Sequence, residues 1–282
     1  MKKPLALAIS AAALAFTSAA LADDPKEGGV VNTIIQPEPP GLVLGMVQNA
    51  PTRTVSGNIY EGLLRYSTDL EPMPQLAESW EVSDDGRTYT FHLREGVTWH
   101  DGEAFTADDV VFSADVFHRE LNPSARAVLQ HVESIEATDD HTVVFTLTQP
   151  FGPFLLSFEA GTFTMVPEHL YAGTDFRNNE HNDHPIGTGP FKFDNWERGT
   201  VIELVKNEEY YEEGLPYLDG VNWHVIPDGA SRAVAFENET IDVLPSGTVE
   251  NFDIPRLAEM DNVCMTEEGH EYFSPFAMLW MN

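Results

Sequence analysis

A pattern of alternating apolar and polar residues, broken by a short polar turn, occurs twice in this chain. In AESWEVSDDGRTYTFHL, residues 77–93, the stretches 78–82 and 88–93 alternate with the period of a β-strand. Residues 83–86, SDDG, tolerate left-handed backbone and therefore predict a β-hairpin. Residues 135–147 repeat the pattern with one residue fewer in the turn. We predict that the two hairpins flank a helix within one α/β domain.

The stretch after the first hairpin, GVTWHDGEAFTADDVVFSADVF, predicts a capped helix. Thr106 is a good N-cap residue, and Asp109 stands where a capping box has its acidic residue. We expect the helix to continue over residues 110–117. In the preceding hairpin, five residues are expected to line the buried face: Trp80, Val82, Tyr89, Phe91 and Leu93.

His100 and Asp101 in this stretch raise the question of a catalytic pair. No nucleophile stands at a recognisable spacing from them, and their glycine-bounded turn favours a role in folding. The chain also lacks the G-x-S-x-G, H-E-x-x-H, Walker and G-x-G-x-x-G motifs. His181, Asp183 and His184 could contact a metal, but they share one loop in which nothing enforces a coordination geometry. We therefore predict no catalytic residue, no metal site and no cofactor.

The N-terminus, MKKPLALAISAAALAFTSAALA, has the three parts of a secretory signal peptide. Two lysines precede an apolar run, and Ala20-Leu21-Ala22 is a small-residue cleavage site. We predict cleavage after Ala22 and export to a bacterial periplasm, with an uncleaved N-terminal anchor as the alternative. Cys264 is the single cysteine, so the exported chain is expected to have no internal disulfide.

The charge of the chain is strongly negative. Fifteen Lys and Arg residues stand against 46 Asp and Glu residues, which gives a net charge of −31. Such a surface repels nucleic acid and anionic lipid. Because the acidic residues are spread along the chain, they favour solubility in a salty environment over a dedicated acidic recognition surface. A hydrophobic content of 42% is sufficient for a folded core and excludes global disorder.

The second half of the chain predicts another α/β layer. Residues 172–185 are polar and rich in turn-forming residues, as expected of a domain boundary. Asp228 is a suitable cap for a helix over residues 230–235. Short strands are expected at residues 190–193, 201–205, 221–226 and 241–244. This alternation favours a layered sheet that can be mixed in direction.

Four segments carry a resemblance to a known family. They are LAESWEVSDDGRTYTFHLREGVTWHDGEAFTADDVVFSAD, PIGTGPFKFDNWERGTVIELVKNEEYY, PYLDGVNWHVIPDGASRAVAFENETIDV and the N-terminal EGGVVNTIIQPEPPGL. They follow the family's order and span nearly the whole mature chain. On these segments the chain resembles the extracellular solute-binding proteins of family 5, the periplasmic substrate-binding components of peptide and nickel ABC transporters.

The resemblance implies an α/β fold of the periplasmic binding protein type, in its type II, peptide-binding class, with mixed sheets and an inserted α/β domain. It implies a signal peptide, two parts of domain I around a domain II insert, and the start of a third domain. The implied signal peptide spans residues 1–22, domain I spans 23–52 and 185–270, and the domain II insert spans 53–184. The third domain is implied to begin within 271–282. By the same resemblance the chain is a C-terminally truncated member, and the carboxylate that pairs with a peptide's amino terminus would lie in the missing part.

The resemblance also implies a binding protein and not an enzyme. The complete receptor would capture an oligopeptide or dipeptide between two lobes and deliver it to an ABC permease in the inner membrane. Its implied partners are that peptide-like solute and the permease, with no nucleic acid, and the receptor itself would be a monomer. Nickel chelates, oligosaccharides and opines are alternative ligands. An exported hydrolase that uses some of the acidic residues is the alternative from another class.

Two extended segments would pair with the backbone of a peptide ligand, again on the resemblance. The ligand-binding residues implied in them are Gln36, Pro37, Glu38, Pro39, Ser246 and Gly247. Ordinary turns are the alternative interpretation of both segments.

Overall fold

The structure, a computed structural model, describes residues 25–266. The strands are β1 Val30–Ile34, β2 Leu64–Tyr66, β3 Pro72–Pro74, β4 Ala77–Val82, β5 Thr88–Leu93, β6 Val132–Asp139, β7 Thr142–Leu147, β8 Phe191–Glu197, β9 Val201–Lys206 and β10 Gly220–His224. The α-helices are α1 Ala50–Ser56, α2 Ala107–Val111, α3 Arg119–Leu121, α4 Pro123–Leu129, α5 Glu168–Tyr171, α6 Gly229–Glu237 and α7 Ile254–Ala258.

The first sheet is mixed in direction. Its strand order is β1-β10-β9-β8, with β1 parallel to β10 and the other neighbours antiparallel. The predicted strands at 190–193, 201–205 and 221–226 are confirmed as β8, β9 and β10. The predicted cap of α6 is confirmed as well, because the Asp228 carboxylate accepts a hydrogen bond from the backbone N–H of Ser231 over 2.8 Å.

The second sheet contains both predicted hairpins. Its order is β4-β5-β7-β6, and every neighbouring pair is antiparallel. In the first turn the N–H of Gly86 donates to the carbonyl of Ser83 over 2.8 Å, and Gly86 has φ +67°. Glycine adopts this left-handed conformation without the steric penalty that a Cβ brings. The helices that follow β5 lead to β6 and so bring the two hairpins into one sheet.

The helix predicted over residues 110–117 changes its form part-way along. α2 ends at Val111, and Phe112–His118 is a π-helix. Ser113 exchanges hydrogen bonds with the backbone of Val166, and His118 bonds to the carbonyl of Thr164. Side chains five residues apart lie on one side of a π-helix but not of an α-helix, so the wider turn lets both reach the same segment.

The buried face of the first hairpin was predicted correctly in β5 and only in part in β4. Tyr89, Phe91 and Leu93 are buried, and Trp80 packs half-buried against the same core. The prediction was wrong for Val82, which is 43% exposed. β4 is an edge strand of its sheet, and Val82 is its last residue, beside the turn, so the sheet leaves it uncovered.

The strand predicted at 241–244 is reduced to a single bridge. Val243 pairs in parallel with Thr33 on the open side of β1. The N–H groups of Asp242 and Val243 both approach the carbonyl of Asn32, at 2.8 and 3.2 Å, so the two segments do not form a regular hydrogen-bonded ladder. The prediction of a full strand is therefore wrong, although the segment lies at the predicted sheet.

No helix within residues 25–266 has the length and apolarity needed to cross a bilayer. The predicted signal peptide and its cleavage site after Ala22 lie outside the described residues.

Candidate functional site

A recess of about 270 Å³ lies between α1 and the loop at residues 159–161. Ala50, Arg53 and Thr54 of α1 and Gly57 just after it border the recess, and their spacing of three and four residues puts them on one side of the helix. The remaining wall consists of Leu44, Glu159, Ala160 and Gly161. The recess therefore combines small and apolar side chains with one cation and one carboxylate.

The loop that forms the far wall is tied to α1 by its backbone. The carbonyl of Gly161 accepts hydrogen bonds from Arg53 Nη2 over 3.0 Å and from Gln48 Nε2 over 3.3 Å. Within the loop, the Glu159 carboxylate accepts the N–H of Gly161 and the hydroxyl of Thr162. These bonds fix the position of the loop relative to α1.

A buried histidine supports the same loop from behind. His118 Nε2 donates to the carbonyl of Thr164 over 2.8 Å, and Asn122 Nδ2 donates to the carbonyl of Thr162 over 2.9 Å. Burial lowers the pKa of His118 to about 4, because the interior disfavours the charged imidazolium, although the Thr164 carbonyl opposes the shift. The imidazole is therefore neutral at physiological pH and acts as a fixed hydrogen-bond donor.

The sequence before α1 fixes the position of the helix. Asn49 caps it by accepting the N–H of Thr52 over 2.8 Å. The hydroxyl of Thr52 donates to the carbonyl of Gly41, and that of Ser56 donates to the carbonyl of Leu42. α1 is thus held against the segment that follows β1, so the recess and the first sheet are mechanically connected.

A buried carboxylate joins segments that are distant in sequence. Glu61 is 1% exposed and accepts hydrogen bonds from Gln75 Nε2 and Thr188 Oγ1 at 3.1 and 2.9 Å. The hydroxyls of Tyr210 and Tyr211 donate to the same carboxylate over 2.9 and 2.8 Å. Burial raises the pKa of Glu61 to about 7, because these four uncharged donors offset only part of the lost hydration.

His100 bonds to the segment around Thr188, which also contacts Glu61, and it does not form a catalytic pair with Asp101. Its Nε2 donates to the carbonyl of Gly189 over 2.9 Å, and its Nδ1 accepts the N–H of Gly187 over 3.3 Å. Burial lowers its pKa to about 4, and the nearby Lys192 charge acts in the same direction. Asp101 instead contacts His169 Nε2 at 2.8 Å. His100 therefore connects the segment after β5 to the start of β8.

The first predicted ligand segment lies directly after β1. Gln36 and Pro37 are exposed, and Pro39 is buried. The Glu38 carboxylate accepts the indole N–H of Trp196 and the backbone N–H of Gly199, both over 2.9 Å. Glu38 therefore anchors this segment to the β8–β9 hairpin, whereas Gln36 and Pro37 face solvent.

The second predicted segment is an exposed turn. Ser246 and Gly247 face solvent, and Gly247 has φ +76°. The turn closes where the hydroxyl of Thr248 donates to the carbonyl of Pro245 over 2.6 Å. Because Thr33 and Val243 pair in parallel, this turn and the segment after β1 leave the first sheet at the same edge. Their role in ligand binding stays a prediction.

Two features were missed in the sequence. Glu61 stands alone in the apolar run IYEGLL, and a lone carboxylate in such a run is a signal for a buried acid. Arg53 and Gly161 carry no comparable signal, because they meet only through the fold, 108 residues apart. As for the residues considered as metal ligands, within residues 25–266 no group of three or more His, Cys, Asp or Glu side chains could hold a metal ion.

A family comparison gives the context of this geometry. The model of bacterial extracellular solute-binding proteins, family 5 Middle, matches residues 71–281. The chain belongs to this family. Protein XP55 of Streptomyces lividans is 33% identical over 266 residues, a match that covers 89% of this chain and 47% of XP55. The chain thus spans about half the length of the curated relatives that it matches.

Two solved structures confirm the fold. The Bacillus subtilis oligopeptide-binding protein AppA, in complex with a nonapeptide, matches with a TM-score of 0.76 and 29% identity, covering 84% of this chain and 47% of AppA. The Helicobacter pylori periplasmic binding protein DppA, in complex with the peptide STSA, matches with a TM-score of 0.75 and 30% identity, covering 84% of this chain and 50% of DppA. The predicted α/β fold of the type II, peptide-binding class is confirmed.

Proposed function

We propose that the complete protein is the substrate-binding component of an ABC importer for oligopeptides or dipeptides. Family membership gives the class of protein. The observation that carries the binding site is the recess beside α1, whose far wall is fixed in advance by the bonds from Arg53 and Gln48 to Gly161. A preformed, partly apolar concavity with a few fixed polar groups is the usual form of a site for a small ligand.

The chemistry around the recess supports binding and not turnover. Its hydroxyl, on Thr54, donates to the carbonyl of Ala50 over 2.9 Å, and no imidazole is among the lining residues. A nucleophile activated by an adjacent base is therefore absent from the described lining of the recess. The Glu159 carboxylate is occupied by hydrogen bonds within its own loop. We propose that this protein has no enzymatic activity.

The exposed segments at the edge of the first sheet belong to the same proposal. Gln36 and Pro37, which precede Glu38 and the buried Pro39, and Ser246 with Gly247, would contact the ligand backbone from that edge. α1 is bonded to Gly41 and Leu42, so the first of these segments leads into the wall of the recess. The proposed organisation places domain I at 23–52 and 185–270, the domain II insert at 53–184, and the start of a third domain at 271–282.

The proposed partners are a peptide-like solute and a permease in the inner membrane, and the proposed state is a periplasmic monomer. The signal-like sequence at residues 1–22 supports export. The net charge of −31 supports a soluble receptor that does not bind nucleic acid.

A ligand screen with the purified complete protein tests the proposal. Di- to pentapeptide pools, nickel–histidine, oligosaccharides and opines would be compared by the shift of the thermal unfolding midpoint, since a ligand that binds only the folded state raises it. We expect peptides to give the largest rise. A rise with only another ligand class would support the receptor function and replace peptides as the proposed ligand. Hydrolysis of a peptide or glycoside, abolished by one carboxylate substitution, would instead establish the hydrolase.

A further inference from the structure

The two charged groups that line the recess differ in what they already bind. The Glu159 carboxylate accepts the N–H of Gly161 and, over 2.7 Å, the hydroxyl of Thr162. The Arg53 guanidinium donates through Nη2 to the carbonyl of Gly161 over 3.0 Å. Within residues 25–266 no carboxylate oxygen lies within the 4.0 Å ion-pair distance of Arg53. Arg53 is thus held in place without a direct ion pair in this part of the chain, although the Glu159 carboxylate lies nearby on the other side of Gly161.

The chain has 46 acidic and 15 basic side chains, so few of its groups can attract an anion. A guanidinium presents five N–H donors in a planar fork. One of them is occupied by the carbonyl of Gly161, and that bond fixes the orientation of the fork. The geometry favours a planar anion with two oxygens as the partner of the remaining donors.

The absence of a side chain at residue 161 keeps this cation accessible. A Cβ placed on Gly161 would lie 2.6 Å from Arg53 Nη1 and 2.7 Å from Glu159 Oε2. Either contact is too short for a real Cβ, so any side chain there would displace or cover the guanidinium. Beside it, Leu44, Ala50 and Ala160 provide an apolar surface suited to the aliphatic part of a solute.

We propose that Arg53 determines specificity by pairing with a carboxylate of the captured solute, while the apolar side chains beside it take the adjoining aliphatic group. This inference rests on the proposed function, because it assumes that the recess receives the solute. It narrows the substrate class to solutes with a free carboxylate, such as peptides with an unmodified C-terminus.

The test compares trialanine with trialanine amide, which differ in the charge of the C-terminus. Titration of the complete mature protein would be followed by calorimetry, or by the NMR signals of arginine Nε–Hε groups where affinity is low. We expect the acid to bind at least about tenfold more tightly than the amide. Arg53→Gln should lower the affinity for the acid to that for the amide, and it should leave the affinity for the amide within about twofold of the wild-type value. Arg53→Lys should recover part of the preference, because it restores the charge without the fork.

Two further variants separate recognition from stability. Arg65→Gln removes an arginine that is paired with Glu212 and does not line the recess, and it should keep the preference for the acid. Gly161→Ala should lose that preference while Arg53 is still present. Equal binding of acid and amide by the wild type would overturn the role of Arg53 and leave the receptor proposal standing. An equal loss of affinity for both ligands in Arg53→Gln would also overturn it. Binding of neither ligand by the wild type would overturn both this inference and the proposed peptide-binding function.

Discussion

The hydroxyl of Tyr211 donates a hydrogen bond to the carboxylate of Glu61 over 2.8 Å, across 150 residues of sequence. The adjacent Tyr210 donates to the same oxygen, and Thr188 donates to the other one. This carboxylate therefore connects the chain before β2 to the segments on both sides of the β8–β9 hairpin. Because no donor of the group carries a positive charge, no partner charge stabilises the ionised carboxyl. The stability of the connection therefore depends on the protonation state of Glu61.

We expect stability to fall as pH rises through this carboxyl's titration. The pKa of Glu61 is raised from 4.5 to about 7 on folding, so between these values the folded state binds a proton that the unfolded state has released. This group therefore destabilises the fold progressively from pH 4.5 to 7, by about 3 kcal/mol in total. Glu61→Gln should remove that slope while keeping an acceptor for the tyrosine hydroxyls. Urea unfolding at several pH values measures the difference.

The exposed Glu78 on β4 provides the matched control. Glu78→Gln removes one negative charge without touching the buried group and should follow the wild-type pH curve. A Glu61→Gln curve parallel to that of the wild type would show that the buried carboxyl does not change protonation in this range.

The buried His118 should lower stability as the pH falls, the opposite direction to Glu61. Its pKa is lowered from 6.5 to about 4, so between these values the unfolded state binds a proton that the folded state excludes. The stability that comes from this group is complete above pH 6.5 and falls by about 3 kcal/mol as the pH drops to 4. His118→Gln should be less stable at neutral pH, because it loses ring contacts with Phe117 and Phe163, but it should show a flatter acid slope.

The control for loss of an imidazole is His92→Gln, on the half-buried face of β5. Unfolding midpoints between pH 4 and 7 would be compared for the three proteins. An acid slope in His118→Gln as steep as that of the wild type would contradict the assignment of the buried imidazole.

Gly86→Val should destabilise the protein through backbone strain alone. Gly86 has φ +67°, and a Cβ there would meet Pro150 at an ordinary 3.5 Å, so space is not the obstacle. A β-branched residue in this conformation costs about 1–3 kcal/mol. Gly152→Val is the matched control, because a Cβ on Gly152 would point into open space, with nothing within 4 Å, and the φ of Gly152 is not positive. Equal unfolding midpoints for the two variants would contradict the strain at Gly86.

Stability should rise with salt, mostly at low concentration. The net charge of −31 implies self-repulsion that counterions screen, and the Debye length is already about 10 Å at 0.1 M. Thermal unfolding would be followed from a few millimolar to near-molar sodium chloride. We expect most of the rise in midpoint below about 0.3 M, since screening is then largely complete. A flat or falling midpoint would show that the acidic side chains are compensated locally.

The sequence by itself determined the elements whose causes are local. The first hairpin, the positive φ of Gly86 and the Asp228 cap of α6 each depend on residues within a few positions, so periodicity and turn chemistry were sufficient to predict them. The fold class came from the resemblance of longer segments to a family, and it agrees with the solved structures.

The tertiary structure decided what depends on neighbours far along the chain. Val82 alternates as a buried residue should, but it is exposed because β4 became an edge strand. Residues 241–244 have the pattern of a strand and form only one bridge, because Asn32 receives both of their N–H groups at one carbonyl. Arg53 meets Gly161, and Glu61 meets Tyr211, only after the chain has folded back on itself. Alternation records which way a side chain points within its own strand, and it contains no information about which distant segment will cover that side chain.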